Sequence, residues 1–299
     1  MKNYLGIDIG GTNIKYALLD RAGNILEQDK VKTAQNKEDF LNEIDKIVDK
    51  YHSQIKGIAF CAPGRIVDST IYLGGALPFI DGINLGKRYQ DLDIPVAGIN
   101  DGKASVLAEN WLGNLKDLDN CGALTLGTGV GGGLIVNGKL VAGEHAQAGE
   151  ISFMRVDPNQ DDFNGYAGTI GSAVGMISRV NQAVGNQDLQ DGLAAFKAIE
   201  SGNQKAQDIF KNYCQNIAGI IFNIQSVIDL EKIAIGGGIS AQPIVIEEIN
   251  NQYQKLIHSH ELITKTLIPV KIVAAKFKND ANIYGALYNL LLKINQEAL

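Results

Sequence analysis

Two glycine-rich turns and one Asn-Asp pair supply the residue types that phosphoryl transfer to an alcohol requires. The turns are Asp8-Ile9-Gly10-Gly11-Thr12 and Gly127-Thr128-Gly129-Val130-Gly131-Gly132-Gly133. Glycine admits positive φ and lets amide N–H groups come close to an anion, while Thr12 and Thr128 add hydroxyl donors. Such a transfer must also hold a metal, align the hydroxyl with the γ-phosphate and give its proton to a carboxylate. Thr12 and the amides of Gly10 and Gly11 would meet the phosphate, Lys15 would add charge, and Gly127, Thr128, Gly129, Gly131 and Gly132 would reach it from a second domain. Asp8 suits hydrated Mg²⁺, because hard divalent cations favour carboxylate oxygen and water. Asp101 is the candidate general base and Asn100 a candidate hydroxyl ligand, although the same pair would serve equally as a plain helix cap. Glu150, after His145-Ala146-Gln147-Ala148-Gly149, is a further polar candidate or a surface charge.

Any one of these turns alone fits a tight hairpin. A third, Gly236-Gly237-Gly238-Ile239-Ser240, makes three unrelated hairpins a poor explanation. No Gly-x-x-x-x-Gly-Lys-[Ser/Thr] run is present, which excludes the P-loop design, and the third turn lacks the dinucleotide pattern Gly-x-Gly-x-x-Gly.

The elements that must position these residues are legible as short apolar runs. Residues 4–7 and 14–19 flank the first turn, and residues 123–126 and 134–136 flank the second, so one strand–turn–strand unit occurs twice. A further strand is expected over 23–32, and Phe40, Leu41, Ile44, Ile47, Val48 and Tyr51 have helical spacing. Strands at 57–60 and 95–99 end in Ala62-Pro63-Gly64-Arg65 and Asn100-Asp101, and carboxyl ends of strands face the ligand crevice in open α/β sheets. A helix follows over 102–111. The spacing predicts a long helix over 205–230 with Ile209, Tyr213, Ile217, Ile220, Ile221, Ile224 and Val227 on one stripe. A last helix over 281–294 carries Gly285-Ala286, small enough for a close approach. Strands alternating with helices give an α/β class.

At 299 residues the chain exceeds what one core usually serves, so two domains are expected, with a boundary in the polar stretch 113–120. A net charge of −6 without a basic cluster argues against nucleic-acid binding. No secretion signal and no apolar run of ~20 residues is found, so a cytoplasmic protein without a membrane partner is expected. Cys61, Cys121 and Cys214 are odd in number and far apart, which fits buried small hydrophobes better than disulfides. His52, His258 and His260 are expected to be exposed, and no His/Cys spacing suits a metal.

Leu5 to Thr12, Ile99-Asn100-Asp101, Gly127 to Gly133 and Ala148-Gly149-Glu150 together resemble the ROK family of sugar kinases and sugar-responsive repressors, end to end and in motif order. The resemblance implies the actin-like, ribonuclease-H-like ATPase fold, with ATP and sugar in a cleft between two domains. These would be a smaller one (residues 1–115, joined by 281–299) and a larger one (116–280). It implies ATP and Mg²⁺ as cofactors, Asp101 as base, and Asn100 and Glu150 as sugar ligands. Gly64-Arg65 fall where family members contact the sugar, and Gly236, Gly237, Gly238 and Ile239 where they contact the nucleotide. It also implies a homodimer.

The departures bear on substrate. Many ROK proteins carry a Cys-x-Cys-Gly-x-x-Gly-Cys zinc loop and a zinc-ligand His where this chain has Phe153. The loop here is Asp162-Phe163-Asn164-Gly165-Tyr166-Ala167-Gly168-Thr169, with both glycines and no cysteine, so no zinc site is expected and the loop must hold by packing. A Glu that touches the sugar in zinc-bearing relatives aligns near Gly171. Losing both contacts should leave the anomeric side of the sugar pocket roomier and less polar. With Leu73-Gly74-Gly75-Ala76-Leu77 and Phe79 to Leu85, these features resemble the β-glucoside kinase branch. N-acetylmannosamine kinase and glucokinase are the alternatives, and a non-catalytic sugar-sensing protein is the alternative of another class. The repressors carry an N-terminal winged helix, for which no room is expected before Asp8.

Overall fold

The computed structural model describes residues 3–75, 77–160, 162–277 and 280–295. Ala76 of the 73–77 segment and residues 296–299 of the C-terminal segment lie outside the described residues. Contacts divide the chain into two compact units, Met1–Asp119 with Gly133–Gly149 and Asn279–Leu299, and Asn120–Gly132 with Glu150–Lys278.

In the first unit, β1 (Asn3–Ile9) and β2 (Asn13–Leu19) form an antiparallel hairpin in which Asp8 faces Lys15, and β3 (Ile25–Lys32) extends it. Helix α1 (Lys37–Tyr51) starts where the Asn36 side chain accepts the Asp39 amide. It buries Phe40, Ile44, Ile47, Val48 and Tyr51 along one face, the arc that a 3.6-residue period turns toward a sheet. Next come β4 (Ile55–Ala62), the hairpin of β5 (Arg65–Val67) and β6 (Thr70–Tyr72), the single turn α2 (Leu85–Arg88), β7 (Val96–Asn100) and α3 (Asp101–Leu112). The sheet order is β3-β2-β1-β4-β7, with β1, β4 and β7 parallel.

The second sheet is built from β8 (Cys121–Leu126), β9 (Val130–Val136) and β10 (Lys139–Leu140), followed after a long helical stretch by β11 and β12. That stretch comprises α4 (Ala167–Ile170), α5 (Ala173–Val184), α6 (Gly192–Glu200) and α7 (Gln204–Ile228). Then follow β11 (Lys232–Gly236), α8 (Pro243–Ile257), α9 (Glu261–Thr266) and β12 (Lys271–Ala274). The order is β10-β9-β8-β11-β12, the last three parallel. Helix α7 buries Tyr213, Ile217, Ile220, Ile221 and Ile224, but Val227, expected on that stripe, is 80% exposed. It lies on the same helical line as the half-buried Ile209, at the margin of the buried arc.

The last helix, α10 (Ala281–Ile294), packs on α3 and on β1, β4 and β7 of the first unit. A Cβ on Gly285 would sit 1.9 Å from the Ala104 carbonyl oxygen, so only glycine permits this crossing. Trp111 and Tyr288 stack at 5.1 Å beside it. The three cysteines are free and buried, and His52, His258 and His260 are exposed.

Candidate active site

In the first unit the parallel register pairs Asp8 with Cys61, Cys61 with Ile99 and Ala62 with Asn100. The carboxyl ends of three adjacent strands therefore bring Asp8, the Gly64-Arg65 turn and Asn100-Asp101 to one edge. Asp8 is 7% exposed. Its Oδ1 accepts a 3.0 Å hydrogen bond from Asn282 Nδ2, and Lys15 Nζ stands 3.8 Å from Oδ2. Burial pushes the Asp8 carboxyl above its usual range; Asn282 and Lys15 oppose the shift, and the charges of Asp101 and Asp280 add to it.

The first turn is braced from behind. Gly10 donates its amide to Asn13, the Thr33 hydroxyl donates to the Gly10 carbonyl at 2.7 Å, and the Thr33 amide donates to the Thr12 carbonyl. Gly11 and Thr12 are left exposed at the tip. Positive φ, expected of these glycines, is not what the turn uses: neither Gly10 nor Gly11 takes it. Glycine is needed at position 10 because a Cβ would come within 2.9 Å of the Asn13 carbonyl oxygen.

Asn100 and Asp101 divide their labour. The Asn100 side chain caps α3, accepting the amides of Gly102 and Lys103, and its Nδ2 donates to the Gly64 carbonyl at 2.9 Å. The cap alternative thus holds for Asn100, which also fixes the Gly64 turn. Asp101 is solvent-accessible, yet surrounding protein removes enough water from its carboxyl to raise its pKa. Hydrogen bonds from the Gly102 amide and Asn100, and the charge of Lys103, oppose that rise. Gly64 takes φ +88°, and a Cβ there would strike the Leu73 carbonyl oxygen at 2.2 Å. The Arg65 guanidinium lies 4.6 Å from the Tyr72 ring centre.

In the second unit, β8 and β11 run parallel with Gly236 opposite Thr125, which sets the turns after both strands side by side. Gly237 takes φ +91° and would place a Cβ 2.1 Å from the Leu126 carbonyl oxygen. A cavity of about 480 Å³ opens beside these turns. Gly127, Gly238 and Ile239 line it with Val174 and Ile177 of α5 and Leu193 and Phe196 of α6; Asp188, Gln190 and Gln242 add polar groups. The second turn is shorter than expected: Gly131 and Gly132 lie within β9, while Thr128 and Gly129 border a different cavity. Glu150 is half-buried and opens a 3-10 turn, Ile151–Phe153. A Cβ on Gly171 would lie 2.5 Å from Val130 Cγ2 and 2.9 Å from the Ala167 carbonyl oxygen, so no side chain fits there. The 162–169 loop is held by more than packing: Phe163 stacks on Tyr166 at 5.1 Å and meets Phe153 edge-on, and the Val156 and Asp157 amides donate to the Gly165 carbonyl.

Sequence reasoning missed Asn282, Thr33, Val174 and Leu193. Their signals were weak: an Asn at a helix start, a lone Thr after a strand, and apolar residues on helices that read as ordinary amphipathic surface.

The whole chain has counterparts of matching length. It is 29% identical to the β-glucoside kinase of Listeria monocytogenes over 295 residues, 97% of each chain. It superposes on a ROK family protein from Streptococcus pneumoniae in complex with sucrose, with a TM-score of 0.89 and 30% identity over 98% of this chain and 99% of that one. It also superposes on a ROK family glucokinase from Streptomyces griseus in complex with glucose and AMPPNP, with a TM-score of 0.79 and 25% identity over 95% and 98%. The two α/β sheets, each with glycine-rich turns at strand ends, have the actin-like ATPase fold. The ROK family model matches residues 4–293, and the chain belongs to the ROK family.

Proposed function

We propose that this protein is a kinase that transfers the γ-phosphate of ATP to the 6-hydroxyl of a hexose unit, with β-glucosides as its preferred acceptors. The observation that carries the reading is Asp101, an accessible carboxylate of raised pKa on the same strand-end edge as Asp8. A base of raised pKa takes a hydroxyl proton more readily. Asn100 keeps that carboxylate at the helix start and holds the Gly64 turn against it.

The residues suit the nucleotide and the metal. The cavity beside Gly238 and Ile239 is of nucleoside size and has apolar walls with a few polar groups. Asp8 is a buried carboxylate crowded by two other acidic groups, an environment that a divalent cation relieves. Asp8 would hold Mg²⁺ through water, and Mg²⁺ when bound neutralises charge on the phosphates. Thr12 and the Gly11 amide would hold the transferred group, the Gly10 amide being taken by the Asn13 carbonyl, and Thr128 and Gly129 would hold the nucleotide phosphates, the Gly127 amide being taken by the Gly129 carbonyl.

The β-glucoside preference is supported by two positions where the ROK resemblance implies sugar contacts that this chain cannot make. Position 171 admits no side chain, and Phe153 brings no hydrogen-bonding group. The Listeria relative is named for β-glucosides, and the pneumococcal one holds a disaccharide. A glucokinase is the second reading, favoured by the Streptomyces enzyme in complex with glucose. The test is ADP release with Mg-ATP over glucose, N-acetylmannosamine, fructose, mannose, cellobiose and phenyl β-glucoside. Preference for the last two supports the proposal, preference for a free monosaccharide leaves the kinase without the glucoside, and silence on all six rejects it.

A further inference from the structure

Lys103 stands where a helix ordinarily disfavours a lysine. Asn100 caps α3, so Lys103 is its third residue, the place where Glu or Gln is preferred. A cation there faces the positive end of the helix dipole. The residue is also only 5% exposed, and withdrawing an ammonium from water is costly. Residues that break a local rule in this way gather at functional positions.

Within the first unit the ammonium acts in two directions. Nζ donates to the Ala146 carbonyl at 3.0 Å, across 43 positions of sequence. Its charge also reaches the Asp101 carboxylate on the same helical turn and opposes the rise in pKa that burial causes there. Long helical side chains lean toward the helix N-terminus, which carries Nζ back toward that carboxylate.

The loop at the other end of this bond is shaped to meet it. Ala146 takes φ +56°, a left-handed conformation that a residue with a Cβ keeps only where its surroundings enforce it. The Ala146 amide donates to the Gly143 carbonyl at 3.3 Å and the Ala148 amide to the Ala142 carbonyl at 3.1 Å, which closes the loop on itself. The strand that leads to it lies directly on the helix start: a Cβ on Gly133 of β9 would fall 2.7 Å from the Gly102 carbonyl oxygen.

We infer that Lys103 is a positioning residue for the base: it pins the 142–149 loop to the first turn of α3, and the pinned ammonium is a fixed positive charge for Asp101. This rests on the reading of Asp101 as the base. Asp8 on β1 opposes the ionisation of Asp101, and Lys15 on β2 pairs with Asp8. The Cys61 thiol on β4, which burial pushes well up, is uncharged near neutral pH. The favourable charge at Asp101 is that of Lys103.

Lys103→Met keeps the apolar stem and removes the charge. Its acid limb of kcat/KM should move to higher pH than that of the wild type, and kcat at pH 7 should fall by about tenfold as the base loses its setting. The Ala146 and Ala148 amides should exchange hydrogen faster. Lys103→Arg, which keeps the charge, should bring the limb back toward its wild-type position, as a merely structural role would not require. Lys103→Gln, polar and uncharged, is read in the same way as Met and replaces it if the Met variant does not fold. A neutral variant with the wild-type limb, measured below its melting temperature, overturns the inference, and so does an Arg variant whose limb moves as far as that of Met. Loss of turnover in Asp101→Asn beside an unmoved limb in Lys103→Met sinks the inference and leaves the base. Retained turnover in Asp101→Asn sinks the base reading, and the exchange rates then decide the pin: faster exchange in the neutral variants supports it, and unchanged exchange overturns it.

Discussion

Asn282, in the first turn of the last helix, donates its side-chain amide to Oδ1 of Asp8 on the first strand at 3.0 Å, across 274 positions of sequence. The helix that closes the chain thus orients the carboxylate proposed to hold magnesium, and it lowers the cost of keeping that carboxylate ionised. Gly285, one turn further on, lets the same helix sit against the Ala104 backbone, so this aim depends on a glycine.

Replacing Asn282 by Leu keeps the branched shape and removes the donor. A hydrogen bond to a charged group is worth about 1.5–3 kcal/mol, so the Mg²⁺ concentration for half-maximal ADP release should rise by about tenfold or more. Sugar affinity, read by isothermal titration without nucleotide, should not move. An unchanged magnesium titration would mean that Asp8 is held by other contacts.

Asp8 is costly to the fold in its ionised form, and Asp8→Asn tests this. Its pKa is raised above 3.8 in the folded state, so as pH rises from 3.8 the unfolded chain ionises first and the wild type loses stability. The loss is complete above the folded pKa and absent below 3.8. The Asn variant should therefore melt about 2–4 °C higher at pH 7, on the order of 1 kcal/mol, with no gain below the usual aspartate range. Its kinase activity should fall. A variant that melts lower at pH 7 would show that the ionised carboxylate is stabilising after all.

Asp101→Asn should reduce kcat by about 10²–10⁴ with sugar binding kept, because the amide still forms hydrogen bonds but takes no proton. The wild-type acid limb of kcat/KM should lie above the usual aspartate pKa, since burial raises this carboxyl, and activity is lost as pH falls through it. The variant's residual rate should lack that limb. Near-normal turnover would remove Asp101 from the role of base.

Much of this arrangement is local and therefore readable in the chain. The strand before Asp8 and the strand before Asn100 are short apolar runs, each ending in polar or glycine residues, and the structure sets both ends on one edge. The 205–230 helix was visible in its spacing, while the fate of Val227 depended on where the packed surface stops. Other features arise only from the fold. Asn282 reads as an ordinary helix start until tertiary packing brings it to Asp8. Gly10 was credited with a backbone conformation it does not adopt, because the closeness of Asn13 is invisible in sequence. The Asn100-Asp101 pair left cap and catalysis open, and geometry gave the first role to Asn100. Val174 and Leu193 are apolar and exposed, and a periodic pattern cannot tell the wall of a cavity from a buried face.

Gly237 offers the sharpest separation of nucleotide binding from sugar binding. Its φ of +91° is unfavourable for any other residue, and a Cβ would fall 2.1 Å from the backbone oxygen of Leu126, which cannot move without disturbing β8. Gly237→Ala must therefore shift the turn that leads into Gly238 and Ile239, both in the wall of the nucleoside-sized cavity. Overpacking of this kind costs about 1–3 kcal/mol. The expected outcome is a KM for ATP raised by about tenfold or more, with sugar affinity unchanged because the sugar candidates Asn100 and Asp101 belong to the first unit and Glu150, in the second, does not line this cavity. Gly219→Ala is the control, since a Cβ there meets nothing within 4 Å, its φ is not positive and it lies outside the cavity wall. If both variants bound ATP like the wild type, the cavity beside this turn would not be where the nucleotide sits.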